Sequence, residues 1–91
     1  MDPMNIFRER LDFDRALAIG QEVEARWTWS NGYYAAPARI VKINKRSVRV
    51  ELLEDVDSMY TREIAWPKGR ELRMPRFMAG EWSVNNGVFA N

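Results

Sequence analysis

The spacing of apolar positions changes once along the chain, at Gly20, from a helical period to a strand period. Before it, Ile6, Phe7, Arg10, Leu11, Asp14, Leu17 and Ala18 recur at helical spacing. Ile6, Phe7, Leu11, Leu17 and Ala18 give an apolar stripe, with Arg8, Glu9, Asp12 and Arg15 mostly on the other side. The pattern predicts a helix within residues 1–19, capped by Asp2 or Asn5, with Pro3 in the first turn and Gly20 as a left-handed stop. Such a helix would cap one end of a β-domain or serve as a docking or dimerisation element.

From Gly20 the period is two. Val23, Ala25, Trp27 and Trp29 alternate with Glu22, Glu24, Arg26 and Thr28, the pattern of a strand with one buried face. Ser30-Asn31-Gly32 reads as a turn, since Asn and Gly tolerate positive φ. Tyr33 and Tyr34 restart the chain, and Pro37, which has no N–H to donate, belongs at a sheet edge or a bulge. Ala38, Ile40 and, after a bulge, Ile43 face inward; Asn44-Lys45-Arg46 is the next turn. Val48, Val50 and Leu52 alternate with Arg49 and Glu51 in a third strand. An acidic loop at 54–58 precedes a fourth strand at 59–66, a turn at 67–69 and a short fifth strand at 70–74. The rest forms a hairpin around Asn86-Gly87 or a tail. The expected fold is therefore mainly β: a five-stranded small barrel at 20–75, an N-terminal helix at 1–19 and a C-terminal hairpin or tail at 76–91.

Strand parity sorts the rings. Trp27 shares a face with Val23 and Ala25 and reads as core. Trp29 has the same parity but ends its strand, where a ring is half exposed. Tyr33 and Tyr34 are adjacent, so a regular strand cannot bury both. Trp29 and one tyrosine are expected to border a surface patch.

The run Gly20 to Trp27, the turn Gly32-Tyr33-Tyr34, then Ala38-Arg39-Ile40, Val48-Arg49-Val50 and Asp55 together resemble the Tudor/Agenet branch of SH3-like barrels, over residues 20 to about 66. The resemblance implies a ligand site at one end of the barrel. There Trp27, Tyr33 or Tyr34 would supply rings and Asp55 a carboxylate for a methylated lysine or arginine held by cation–π attraction. Ala35 and Ala36 stand where that family usually places an aromatic residue.

Composition narrows the chemistry. Ninety-one residues make one domain, and the apolar share of 46% with 30% charged residues is that of a globular chain. There is no cysteine and no histidine, which removes disulfides, thiol nucleophiles, the commonest general base and the commonest transition-metal ligand. No apolar run approaches the ~18 residues of a membrane span and no signal pattern starts the chain, so a soluble cytoplasmic protein is expected. Glu51, Glu54, Asp55 and Asp57 cluster without the spacing or glycine of an EF-hand loop, and no phosphate-binding glycine loop occurs. No cofactor, metal or catalytic residue is expected.

Net charge is only +1. The stretch 39–49 nevertheless carries Arg39, Lys42, Lys45, Arg46 and Arg49 and no acid. A stripe from Arg39 and Arg49 to the Lys45-Arg46 turn would attract phosphates. The leading expectation is a non-catalytic protein- or peptide-binding module using Trp27, Trp29, Tyr33, Tyr34 and Asp55, with nucleic-acid binding through 39–49 as the alternative. A remote alternative is an oligomeric enzyme like the plasmid-borne type II dihydrofolate reductase, itself an SH3-like barrel; its Val-Gln-Ile-Tyr stretch has no counterpart here. The helix stripe and the surplus rings Trp82 and Phe89 suggest a homodimer.

Overall fold

The structure is a computed structural model and describes residues 3–30, 32–61, 63–77 and 86–91. The chain runs α1 (Pro3–Arg15), β1 (Glu22–Trp29), β2 (Gly32–Ile43), β3 (Ser47–Leu52), β4 (Val56–Asp57), β5 (Ile64–Trp66), β6 (Glu71–Pro75) and β7 (Gly87–Phe89). Five strands form one antiparallel sheet in the order β6-β3-β2-β1-β7, while β4 and β5 make a separate small hairpin. The outer strands β6 and β7 approach each other without pairing, so the sheet curls into a half-barrel compatible with a small SH3-like barrel.

The curl follows from what alternates inward. On β1 and β2 the inner positions Ala25, Ala36 and Ala38 are small and fully or almost fully buried. They let the two central strands bend closely round Val23, Ile40, Val48, Val50 and Leu52, all with no exposed surface. The predicted bulge falls between Ile40 and Lys42, which keeps Ile40 inward and turns Lys42 out.

Several elements differ from expectation. Helix α1 ends at Arg15, and Gly20 (φ +87°) instead occupies the third position of an Ala18–Gln21 reverse turn closed by the Gln21 N–H on the Ala18 carbonyl. Pro37 lies in the central strand β2, opposite Glu24 of β1. Its carbonyl accepts the Leu53 N–H, one residue beyond the end of β3, so its missing donor faces a place where the ladder has already run out. Gly32 does not take positive φ; Ser30 does (φ 48°). Glycine at 32 answers a close approach, since a Cβ there would lie 2.5 Å from Met59 Sδ and 3.3 Å from the Trp29 carbonyl. The acidic loop contains β4, and the predicted fourth strand shrinks to β5 because 59–61 form a turn. Gly87 begins β7 and pairs with Arg26 of β1. Asn31, Trp82 and residues 78–85, which would supply the other arm of a hairpin at Asn86-Gly87, lie outside the described residues.

Helix α1 and the residues just after it meet the sheet by part of the stripe read in the sequence, joined by Phe13. Phe13 and Leu17 pack on the core, while Ile6 and Phe7 remain about half exposed. Asp14 is 3% exposed and meets Arg76, just past β6, with Nη2 to Oδ2 at 3.3 Å. Arg76 also donates to the Asp14 carbonyl and to the Asn44 carbonyl, each at 3.0 Å, tying α1 to the β2–β3 turn. Arg10 lies over Phe89 (3.9 Å) and Phe77 (5.2 Å); burial, with Arg26 adding, lowers its pKa below the ordinary arginine value.

Candidate binding site at the aromatic end of the half-barrel

The β1–β2 register places Trp27 opposite Tyr34, with their rings stacked at 5.9 Å between centroids. Trp66 of β5 closes the trio, edge-on to Trp27 at 5.4 Å and tilted on Tyr34 at 4.6 Å. All three are buried. The Tyr34 hydroxyl accepts the Met59 N–H at 3.3 Å, and the Tyr60 hydroxyl donates to the Ser30 carbonyl. These two bonds pull the 58–61 turn over the tip of the β1–β2 hairpin. The Trp27 indole N–H is buried and makes no hydrogen bond among the described residues.

Beside this trio, a cleft of about 290 Å³ opens between the end of β1 and the β4–β5 hairpin, lined by Trp29, Ser58, Ala65, Trp66 and Arg70. Its volume suits one bulky side chain rather than an extended small molecule. Trp29 is 64% exposed, and Met59, Tyr60 and Ile64, all more than half exposed, belong to the same hairpin and its turn. Thus the parity of β1 holds for both tryptophans: Trp27 is enclosed, and Trp29 reaches past the last covering strand.

The remaining site candidates separate. Tyr33 is exposed, but it pairs with Thr28 on the outer face, whereas Trp29 pairs with Gly32 on the inner one. The two therefore stand on opposite faces of the hairpin. Trp27 and Tyr34 cover one another, and both are buried. Asp55 Oδ1 accepts the Lys68 N–H at 2.7 Å and so holds the 67–70 turn. Among the described residues, no group of three or more acidic side chains is placed to hold a metal ion, and no helix is long and apolar enough to cross a membrane.

The basic stretch also divides. Arg39 lies between Glu22, 3.6 Å away, and its cross-strand partner Glu51. Lys42 lies opposite Arg49, which is opposite Arg73 of β6. Lys45 and Arg46 occupy the exposed 44–46 turn. Sequence reasoning missed Ser58, Ala65, Trp66, Arg70 and Arg73. Arg73 was accessible from the alternation of 70–74, whereas the cleft needs the β4–β5 hairpin, which pairs too few residues to show as a pattern. Comparison with protein-family models, curated proteins and solved structures found no match.

Proposed function

We propose that this chain is a non-catalytic binding module that takes a protein or peptide segment at its aromatic end, seating one apolar or aromatic side chain between Trp29 and Trp66. The observation that carries the reading is a cleft in which the exposed Trp29 stands beside the buried Trp66, with the exposed Met59, Tyr60 and Ile64 on the neighbouring turn and hairpin. Indole and phenol rings give large contact area for little lost rotamer freedom and dominate binding hot spots. A methylated ammonium group, the ligand implied by the Tudor/Agenet resemblance, fits this cleft poorly. The charged side chain lining it is the cation Arg70, and the carboxylate of Asp55 is engaged by Lys68. The same reading includes self-association through the half-exposed Ile6 and Phe7 of α1.

Peptides selected from a random display library on the purified chain test the reading. Trp29→Ala should weaken them by about 30-fold, the ~2 kcal/mol of a hot-spot ring. Tyr33→Ala, on the outer face, should change affinity less than about twofold. If the selected peptides bind Trp29→Ala as well as the parent chain, the aromatic end is not the site.

A further inference from the structure

The outer face of the sheet keeps its charges apart. One row across adjacent strands runs Glu22, Arg39, Glu51, Glu71, which is three carboxylates around one guanidinium. The next row towards the 44–46 turn runs Lys42, Arg49, Arg73. All three of these side chains are exposed, and their strand neighbours Val48, Val50 and Met74 are buried, so the cations project from one surface. Strands lie about 4.8 Å apart, which makes this a band roughly 10 Å wide. Lys45 and Arg46 extend it round the turn; the Arg46 carbonyl meanwhile accepts the Arg76 N–H. Glu71 reaches the band, with Oε1 3.7 Å from Arg49 Nε.

Like charges directly opposite on neighbouring strands lower stability. Exchanging one cation of the band with one acid of the next row would relieve both rows, and the sequence does not do so. The near-zero net charge hides this separation, because three of the acids that enter the sum lie in the next row rather than among these cations.

We propose that the outer face of β2–β3–β6, at its 44–46 end, docks the phosphate backbone of a nucleic-acid duplex through Lys42, Arg49 and Arg73, flanked by Lys45 and Arg46. Charge complementarity selects a polyanion. The absence of anchors selects nucleic acid over an acidic protein: among the described residues, no exposed large apolar or aromatic side chain lies on β3, β6 or the 42–49 stretch. Protein partners need such anchors at the centre of an interface, and phosphate contacts do not. Without a ring to stack on bases, the surface follows the backbone and reads no sequence. Arg39, held in the acidic row, takes no part, and Arg73, from a strand distant in sequence, does. The band is at the Ile43 end of β2 and the aromatic cleft at the Gly32 end, so the two surfaces operate independently.

Anisotropy of a labelled random-sequence DNA duplex, titrated with the full chain at several salt concentrations, tests this. Log affinity should fall with log salt at a slope of about −3 for three contacts. Arg73→Ala or Lys42→Ala should each flatten the slope by about one unit, while Arg73→Lys keeps it. Arg39→Ala and Trp29→Ala should leave it unchanged. A slope near zero, or equal flattening by Arg39→Ala and Arg73→Ala, overturns the assignment. Competition by polyglutamate as effective as by unlabelled duplex also overturns it, in favour of an acidic protein partner.

Discussion

Arg76→Met should destabilise the fold by about 3 kcal/mol, the low end of the range for removing one partner of a buried ion pair. Side-chain exposure is 14% for Arg76 and 4% for Asp14, so solvent screens their attraction little. The substitution removes the 3.3 Å ion pair and leaves the Asp14 carboxylate in place without that cation. It also removes donors to the Asp14 and Asn44 carbonyls, each of which is worth about 1 kcal/mol. Asn44 is exposed and recovers water, which keeps the figure from rising further. Urea unfolding followed by circular dichroism reads the change as a lower midpoint at constant slope. Arg49→Met is the control, because its contact to Glu71 is 3.7 Å long and both side chains are about half exposed; it should cost under ~1 kcal/mol. The double change Asp14→Leu with Arg76→Met should recover part of the loss, since an apolar pair needs no compensation for desolvated charge. Equal midpoints for Arg76→Met and Arg49→Met would refute the view that this pair clamps α1 to the β2–β3 turn.

Trp27→Ala should cost roughly 3–5 kcal/mol in the same urea assay, because its ring packs against both Tyr34 and Trp66 and a large cavity would remain; a loss below ~0.5 kcal/mol would mean that the ring trio is not packed as described. Light scattering at high protein concentration should give a dimer mass that Ile6→Lys with Phe7→Lys reduces to a monomer, and a monomer mass for the parent chain removes the self-association reading.

Much of the sheet was legible because alternation is local. Val23, Ala25 and Trp27 are buried at every second position, the split between Tyr33 and Tyr34 follows from adjacency alone, and Val48, Val50 and Leu52 mark β3 unaided. What was not legible depends on register between distant segments. Arg39 and Arg49 look equivalent in the sequence, yet the bulge after Ile40 sets Arg39 against Glu51 and Lys42 against Arg49. Arg73 joins that row only because β6 returns to pair with β3 after the β4–β5 excursion. The burial of Asp14 was hidden for a related reason: its carboxylate meets Arg76, and no window around residue 14 contains residue 76. The bond from the Lys68 N–H to Asp55 Oδ1 was hidden in the same way, because it spans the β4–β5 excursion.

The aromatic end is the central claim, and the four tryptophans of the chain allow it to be read directly. Each indole N–H gives one cross-peak in a proton–nitrogen correlation spectrum, assignable by single Trp→Phe changes. On titration with a selected peptide, the Trp29 and Trp66 indole signals should move most, with backbone amides at Ser58, Ala65 and Arg70 following and those at Arg49 and Arg73 still. Unmoved Trp29 and Trp66 indoles, with the largest shifts falling instead on Lys42, Arg49 and Arg73, would contradict the account.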